Sequence, residues 1–394
     1  MSQVNISDAV RYIGCDDHEI DLFESQYQVP NGVSYNSYLM VDEKIAIMDT
    51  VDARATTEWL ANLDREMELV SRQRGRECPP DYLVVSHLEP DHAANIQKVC
   101  EKYPKLKVVS NAKTFAMLPQ FFTMDFSGRK VEVKEGDSLS LGSHTLHFYM
   151  APMVHWPEVM VTYESTEKIL FSADGFGKFG ALDTQEDWDH EARRYYINIV
   201  GKYGAPVQAL LKKASGLDIQ IICPLHGPVL KENLAHYLEK YELWSSYRPE
   251  NEGVTIAYAS IHGNTAAAAK ELAALLEEKG QKVSLFDLAR DDMAKAVEDA
   301  FRYDRLVLAA ATYDGGLFPC MEDFLYHLKL KNYQKRTIGI LENGSWAPMA
   351  AKLMKEYAEG FKDCVLAEPT VTVKSTLNAA SRDQLCQLAQ ALAK

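Results

Sequence analysis

A cluster of metal-binding side-chain types lies between residues 87 and 92, where the chain reads HLEPDH. The cluster holds two imidazoles and two carboxylates, supplied by His87, Glu89, Asp91 and His92. It contains no thiolate, which argues against a structural zinc site, because such sites prefer Cys or mixed Cys and His ligands. Mixed nitrogen and oxygen donors favour a metal that keeps open positions, such as non-haem iron, manganese or catalytic zinc.

The elements expected to position this cluster are β-strands. The hexapeptide directly follows an apolar run at residues 82–85, and α/β proteins build their sites in loops beyond the strand ends. Three more apolar, strand-like runs each end in a possible ligand before a break at Gly or Pro. These ligands are His155, Asp174 and His226. Taken singly, each is typical of a turn or cap, but as a set with the hexapeptide they predict one metal site.

The motifs of this chain run HxExDH, then His, then Asp-Gly, then His-Gly-Pro, and this order resembles that of the metallo-β-lactamase fold. Zinc hydrolases of that superfamily typically read HxHxDH, whereas this chain has Glu89 at the middle position. A carboxylate there adds negative charge and harder ligation, which suits iron. The first motif therefore resembles that of the diiron branch, the flavodiiron proteins, and the resemblance extends over essentially the whole chain.

The resemblance implies two irons held by two ligand sets that share one bridging carboxylate. The first set is His87, Glu89 and His155, the second is Asp91, His92 and His226, and the bridge is Asp174. In some family members the residue that matches His92 turns away from the metal. A carboxylate suits the bridging position because its two oxygens can each reach a different metal.

The chain changes character from about residue 252. An apolar run at residues 254–259 is followed by a small polar loop and then by a helical pattern at about residues 266–280. A loop before a helix N-terminus offers backbone N–H groups and a positive dipole end to a phosphate. The loop is neither a Walker loop nor a GxGxxG fingerprint, but it resembles the flavodoxin phosphate loop. This resemblance implies that the FMN phosphate is bound by Ser260, His262, Gly263, Asn264 and Thr265.

Two later loops follow apolar strands at residues 305–311 and 337–341. In flavodoxin-like domains, the loops at these positions flank the isoalloxazine ring, and their glycines let the backbone approach the flavin closely. The implied FMN-binding residues are Thr312, Tyr313, Asp314, Gly315, Gly316, Asn343, Gly344, Ser345 and Trp346. Stacking on the flavin is expected of Trp346 and of Tyr313.

Composition predicts two domains in the 394 residues, with a boundary in the polar segment 248–253. The expected fold is a metallo-β-lactamase-like αββα sandwich at residues 1–250, followed by a flavodoxin-like doubly wound parallel sheet at residues 251–394. The net charge of −14 disfavours nucleic acid and anionic membranes as partners. No apolar run of membrane-spanning length and no signal-peptide pattern is present, so a cytoplasmic location is expected.

The cysteine pattern bears on the source of electrons. Seven Cys are scattered without any CxxC spacing, which predicts free thiols and excludes a rubredoxin module within this sequence. Electrons are therefore expected from a separate donor, and the resemblance implies rubredoxin or a similar carrier. A basic patch near the FMN loops is a candidate docking site for an acidic donor, formed by Lys329, Lys331, Lys335 and Arg336.

Together, the two halves suggest an electron relay. The resemblance implies reduction of NO to N2O, of O2 to water, or both, at a diiron site that receives electrons through FMN. It also implies a head-to-tail homodimer or a dimer of dimers. The alternative is a zinc hydrolase with an accessory flavodoxin domain, against which Glu89 and the FMN loops both argue. A non-catalytic electron carrier and a gas sensor are two further alternatives.

Four aromatic residues are candidates for the wall of a gas pocket, namely Trp156, Phe176, Tyr195 and Tyr196. A Tyr hydroxyl near the metals could donate to a bound gas. Core packing is the favoured interpretation for each of the four, since large aromatic side chains are mostly buried for packing.

Overall fold

The structure of the chain, a computed structural model, describes residues 6–393. The chain divides into two compact units. The N-terminal unit runs to Tyr196 and resumes over Ala205–Tyr241, while the C-terminal unit comprises Ile197–Gly204 and the chain from Glu242 onward.

The first part of the chain alternates short strands with helices. Its strands are β1 (Val10–Tyr12), β2 (Cys15–Asp17), β3 (Leu22–Phe23), β4 (Tyr27–Gln28), β5 (Val33–Tyr35), β6 (Tyr38–Val41), β7 (Ile45–Met48), β8 (Tyr82–Val84), β9 (Lys107–Ser110), β10 (Lys130–Glu132), β11 (Ser138–Ser140), β12 (Thr145–Met150), β13 (Met160–Glu164), β14 (Ile169–Phe171) and β15 (Ile221–Cys223). Its α-helices are α1 (Thr56–Arg74), α2 (Pro90–Ala93), α3 (Ile96–Lys102), α4 (Ala112–Met117), α5 (Trp188–Tyr195), α6 (Gly204–Ala214) and α7 (Leu234–Ser245). Short 3-10 segments lie at Ala53–Ala55, Leu118–Gln120, Ser127–Arg129 and Gly201–Tyr203, and a π-helical turn lies at Tyr196–Val200.

Two sheets form the core of the N-terminal unit. The first has the strand order β1-β6-β7-β8-β9-β10, in which β7 to β10 are parallel. The second has the order β11-β12-β13-β14-β15, in which only β14 and β15 are parallel. Apolar side chains of both sheets form one buried cluster, with Met48 and Val84 from the first sheet and Phe148 and Phe171 from the second. The two sheets therefore pack as a sandwich.

The longest helix of this unit, α1, shows how the sequence specifies its packing. Trp59, Leu63, Met67 and Val70 repeat at helical spacing and are all buried, so they form a single apolar face. Gly75 follows the helix with φ of +65°, the left-handed conformation that commonly ends a helix.

The C-terminal unit contains one larger sheet. Its elements are β16 (Asn251–Ala259), α8 (Asn264–Glu278), β17 (Val283–Asp287), α9 (Met293–Arg302), β18 (Tyr303–Tyr313), β19 (Gly316–Leu317), α10 (Pro319–Leu330), β20 (Thr337–Asn343), α11 (Ala350–Glu359), β21 (Val365–Leu366), β22 (Val371–Val373) and α12 (Ala379–Leu392). The strand order is β17-β16-β18-β20-β21, all parallel, and β22 also pairs in parallel with β20. This is the doubly wound arrangement in which ligands bind beyond the carboxyl ends of the strands.

The polar segment predicted as a linker belongs partly to the sheet. Strand β16 begins at Asn251 rather than at residue 254, because Asn251 pairs with Tyr303 of β18 across an irregularity in the register. The side chain of Arg302 also donates a hydrogen bond to Asn251 Oδ1 over 3.0 Å. A polar sequence therefore continues the strand here because its partner strand supplies the pairing.

Candidate functional site

The structure brings all seven predicted metal ligands into two adjoining groups, and within each group the donor atoms lie within 4.8 Å of one another. The first group is His87, Glu89, His155 and Asp174, and the second is Asp91, His92 and His226. The ligands come from loops after β8, β12, β14 and β15, as the strand-end pattern predicted.

In the first group, two imidazoles point at the same carboxylate oxygen. Glu89 Oε2 lies 3.2 Å from His87 Nε2 and 3.0 Å from His155 Nε2. Asp174 Oδ2 lies 3.4 Å from His87 Nε2 and 3.6 Å from His155 Nε2. Each of the two imidazoles therefore faces both carboxylates.

In the second group, Asp91 Oδ2 lies 3.2 Å from the Nε2 atoms of both His92 and His226. The two Nε2 atoms are themselves 3.1 Å apart. The other carboxylate oxygen of Asp174, Oδ1, lies 3.3 Å from His92 Nε2 and 3.8 Å from His226 Nε2. Asp174 thus presents one oxygen to each group. His92 turns towards the cluster in this structure.

Hydrogen bonds from β7 and the residues that follow it hold the loop that carries the hexapeptide. Asp49 Oδ1 accepts from the backbone N–H of Ser86 over 2.6 Å, and Thr50 donates through both its N–H and its hydroxyl to the carbonyl of His92. The short helix α2 begins at Pro90, a residue suited to a first helical position because its φ is already helical. Asp91 and His92 therefore lie in a short helical turn that these hydrogen bonds hold in place.

In two of the ligand imidazoles, Nδ1 forms a hydrogen bond with another part of the protein. His226 Nδ1 lies 2.7 Å from the carbonyl oxygen of Ser34, which can only accept, so Nδ1 carries the hydrogen. His87 Nδ1 lies 2.8 Å from Oε1 of Glu158, a carboxylate that is fully buried. In a neutral ring, a hydrogen on Nδ1 leaves a lone pair on Nε2, which is the form that binds a metal.

The imidazole nitrogens and carboxylate oxygens of the two groups are placed as expected for metal ligands. Neutral Nε2 lone pairs would face carboxylate oxygens at contact distance, which is repulsive unless a cation lies between them. Both carboxylate oxygens of Asp91, and Oδ2 of Asp174, are buried and accept no hydrogen bond from the part of the chain that the structure describes. Imidazole nitrogens combined with carboxylate oxygens are donors that suit non-haem iron.

The pKa shifts of His92 and Glu89 also indicate a site for positive charge. Burial disfavours a charged imidazole at His92, but the negative charges of Asp91 and Asp174 outweigh it and raise the pKa to about 9. Burial also opposes charge on Glu89, yet hydrogen bonds from His155 and His87 hold its pKa well below the usual range. Protons would therefore occupy the place of the cations when no metal is bound.

The four aromatic residues near the centre differ in what they contact. Tyr195 is buried, and its hydroxyl donates to Asp174 Oδ1 over 3.0 Å, so core packing alone is the wrong interpretation for this residue. Phe176 and Tyr196 pack on Tyr241, with ring centroids 4.2 and 5.1 Å away, as expected of core residues. The half-buried Trp156 sets its ring edge-on to His87 at 5.1 Å.

The predicted phosphate loop lies between β16 and α8. Ser260 Oγ accepts from the N–H of Gly263 over 3.1 Å, and Gly263 has φ of +89°, which favours glycine. Ser260 therefore shapes the loop, while the helix begins at the next residue, Asn264.

The three predicted FMN loops line one open pocket, which ten of the fourteen predicted residues reach. The ten are His262, Asn264, Thr265, Thr312, Asp314, Gly315, Asn343, Gly344, Ser345 and Trp346. The four outside its lining are Ser260, Gly263, Tyr313 and Gly316, and the lining residues not predicted are Ile261, Ala311, Ala347 and Ser375. The side chain of Trp346 is 84 % exposed at the pocket rim.

Sequence reasoning missed a fourth loop, which follows β22. The side-chain amide of Asn343 donates to the carbonyl of Ser375 over 3.0 Å, and its oxygen accepts from Ser375 N–H over 3.1 Å. The hydroxyl oxygen of Thr312 accepts hydrogen bonds from the N–H groups of Met349 and Ala350 at the start of α11, so it also positions a neighbouring loop. Strand β22 is only three residues long, which is too short for an apolar pattern to predict it.

The basic patch proposed near the FMN loops lies only partly at the surface, where Lys329 and Lys335 are exposed, Lys331 is half-buried and Arg336 is buried. Arg336 is only 3 % exposed and donates to the carbonyls of Tyr303 and Tyr247 over 2.7 and 2.8 Å. Lys335 donates to the carbonyl of Ser246, and Lys331 to that of Asn198. These three side chains donate to backbone carbonyls within the C-terminal unit. The prediction was wrong in placing Arg336 at the surface, and docking at Lys329, Lys331 and Lys335 stays a prediction.

Comparisons with known proteins agree with this architecture. A family model described as ODP family beta lactamase matches residues 33–227, and one described as a flavodoxin domain matches residues 255–369. A nitric oxide reductase of Moorella thermoacetica is 30% identical over 95% of this chain and 94% of its own length. The chain belongs to the flavodiiron protein family.

Two further relatives extend the comparison. The solved structure of rubredoxin oxygen:oxidoreductase from Desulfovibrio gigas has a TM-score of 0.90, with 27% identity, and covers 100% of this chain and 98% of that chain. An anaerobic nitric oxide reductase flavorubredoxin of Aliivibrio salmonicida is 28% identical over 87% of this chain and 69% of its own length. Each of these three relatives carries the name of an oxidoreductase, which does not favour the zinc hydrolase alternative.

The flavodiiron fold and cofactors follow from these findings. The predicted combination of a metallo-β-lactamase-like domain and a flavodoxin-like domain is confirmed. The cofactors of this flavodiiron protein are a non-haem diiron pair and FMN. Within residues 6–393, no helix has the length and apolar character needed to cross a membrane.

Proposed function

We propose that this flavodiiron protein reduces NO to N2O, O2 to water, or both, at its diiron site, with electrons relayed by FMN from an external donor. The observation that carries the proposal is the position of Asp174, whose two oxygens face two separate groups of donors. Hydrolases also use paired metals, so the flavin domain joined to this paired site is what favours redox chemistry over hydrolysis. The names of the relatives support the same reaction class.

The proposed iron ligands form two sets and a bridge. They are His87, Glu89 and His155 for one iron, Asp91, His92 and His226 for the other, and Asp174 between them. Support comes from His226, whose Nδ1 hydrogen leaves an Nε2 lone pair facing Asp91, and from the oxygens of Asp91, which accept no hydrogen bond from the described residues. When bound, the irons supply electrons and open positions for a small gas, and FMN supplies electron transfer in single steps.

The chain's own residues fix the geometry of this centre. Tyr195 holds one oxygen of Asp174 by its hydroxyl, and Glu158 orients the ring of His87 from the far side. Such outer hydrogen bonds set the tautomer and raise the basicity of a ligand imidazole. Rings of Phe23 and Tyr35 lie 5.3 and 6.0 Å from that of His226, so apolar surface limits the access of water there.

For FMN, we propose that residues 260–265 hold the phosphate and that residues 312–316 and 343–346 flank the isoalloxazine ring. Ten residues of these loops line the same pocket, which supports the proposal. Ser260 and Gly263 act by shaping the phosphate loop. Neutral hydroxyls, N–H groups and the start of α8 would bind the phosphate, since the loop has no Lys or Arg.

We also propose a separate electron donor, rubredoxin or a similar small carrier, because a relative is named for oxidising rubredoxin. A head-to-tail homodimer or dimer of dimers would bring FMN of one subunit near the metals of another. Seven free cysteines support a reducing, cytoplasmic location. We retain residues 1–250 and 251–394 as the two functional domains.

The proposed function is tested with purified protein that is reduced under anaerobic conditions and then given a measured amount of NO or O2. NO and O2 consumption would be followed with electrodes after FMN is reduced chemically, with Asp174→Ala as the metal-site control. Consumption of at least one gas by the wild type, and its loss in the variant, supports the proposal. A wild type that carries iron and FMN yet consumes neither gas contradicts it.

A further inference from the structure

An apolar cavity lies beside the two loops that carry His155 and Asp174. Its lining includes Val154, the residue before His155, and Gly175, the residue after Asp174. The cavity offers a volume of about 20 Å3, enough for the centre of one water-sized molecule. A single small molecule could therefore rest one residue away from two metal ligands.

The inner end of this cavity offers little to a water molecule. Ser172 Oγ already donates to the carbonyl of Gly175 over 2.6 Å, and the hydroxyl of Tyr241 accepts from the N–H of Phe176 over 2.6 Å. Aliphatic side chains such as that of Val207 form the rest of the inner wall. A water molecule needs two or more polar partners, so apolar cavities of this kind stay dry and take up apolar atoms or molecules.

The outer end of the cavity reaches towards the surface along helix α6. Leu211, Ala214 and Leu217 line it and are only half-buried. The ammonium of Lys213 is held at this end by Glu135 and by the carbonyl of Met150, over 2.9 and 2.8 Å. The cavity is thus lined both by a half-buried helix face and by the buried loops of the metal centre.

We propose that this cavity admits and holds one molecule of an apolar diatomic gas, O2 or NO, before it reaches the metals. The inference rests on the proposed function and adds a residence site for its substrate. Both gases are small and uncharged, so moving them from water into a dry apolar space is favourable. Ions and hydrogen-bonding solutes would be disfavoured in the same space.

A matched pair of substitutions on α6 separates the cavity from the helix. Ala214→Leu adds apolar volume inside the cavity, whereas Ala209→Leu adds the same atoms at an exposed position that does not line it. Overpacking destabilises a folded protein, so the iron content, FMN content and melting temperature of both variants would be checked first.

Xenon is the probe of the cavity itself. Crystals of the wild type under xenon pressure should show one xenon site in contact with Val154, Val207 and Leu210, and the site should persist in Ala209→Leu and disappear in Ala214→Leu. Stopped-flow mixing of NO with the reduced proteins should then give several-fold slower association for Ala214→Leu alone.

Two results would overturn the inference. One is a wild-type cavity without xenon, and the other is equal NO association rates for the two variants. Turnover of NO or O2 by a wild type whose cavity takes no xenon would reject the cavity's role and leave the proposed function standing. Absence of turnover in the wild type would reject the proposed function, whatever xenon shows.

Discussion

Oε1 of Glu158 lies 2.8 Å from Nδ1 of His87, on the side of the imidazole that faces away from the metal ligands. The same oxygen accepts from the N–H of Leu88 over 3.0 Å. One buried carboxylate therefore fixes both the ring and the backbone of the first ligand in the hexapeptide. A residue 71 positions further along the chain thus acts on the metal centre without facing it.

Removing this carboxylate should weaken iron binding without unfolding the protein. We expect Glu158→Ala to lower iron affinity about 10–100-fold, because outer hydrogen bonds of ligand imidazoles typically contribute that much. Glu158→Gln keeps an acceptor oxygen and should lose less. Iron retained after dialysis against graded chelator concentrations measures the effect.

Glu164 provides the control for this prediction. It is another buried carboxylate of the same unit, but among residues 6–393 its hydrogen-bond donors are the N–H groups of Thr166 and Glu167. Glu164→Ala should lower stability and leave iron affinity close to that of the wild type. Equal losses of iron in the Glu158 and Glu164 variants would indicate a general effect of destabilisation.

The bridging position of Asp174 predicts a joint loss of metal. Asp174→Asn replaces one oxygen by an NH2 group, which cannot ligate a cation, so at least one of the two donor groups loses a ligand. We expect iron per chain to fall by half or more while FMN content is unchanged. Retention of both irons in this variant would show that Asp174 is not a bridge.

The phosphate loop allows a comparison of two strained glycines. Gly263 and Gly280 have φ of +89° and +78°, and an added Cβ would meet nothing within 4 Å at either position. An alanine therefore strains the backbone at both sites by about 1–2 kcal/mol. Gly263→Ala should weaken FMN binding, whereas Gly280→Ala, beyond the far end of α8, should not. Flavin fluorescence titration distinguishes them, and equal affinities would remove Gly263 from the FMN site.

Metal removal should destabilise the N-terminal unit in particular. Glu89, Asp91 and Asp174 bring three carboxylates close together, and bound cations stabilise the folded state by about 2.7 kcal/mol at 100 times their dissociation constant. Chelation should therefore lower the melting temperature of one thermal transition by several degrees. The transition that releases FMN should stay in place, and calorimetry with and without chelator resolves the two. A uniform shift of both transitions would contradict this expectation.

The sequence predicted those parts of the site that follow from local pattern. Strands β8, β14 and β15 are apolar runs, and their ends place His92, Asp174 and His226 where the structure has them. Glycine-containing loops after β16, β18 and β20 predicted most of the FMN pocket for the same reason.

Other parts of the site depend on contacts between distant segments, which local pattern does not encode. Glu158 contacts the imidazole of His87 because the two sheets pack together, and Ser34 of the separate β2-β5 pair contacts that of His226, 192 residues further along the chain. Tyr195 lies on helix α5, 21 residues from Asp174, and its hydroxyl reaches that carboxylate only in the folded chain. Arg336 looked like a surface charge because the carbonyls that bury it come from other segments of the chain.

The most direct test of this account is the metal and flavin content of the purified protein. We expect about two irons and about one FMN per chain, because two donor groups share Asp174 and one pocket is lined by the flavin loops. About two zincs with little iron, persisting after expression in iron-rich medium, would contradict the account and favour a zinc hydrolase.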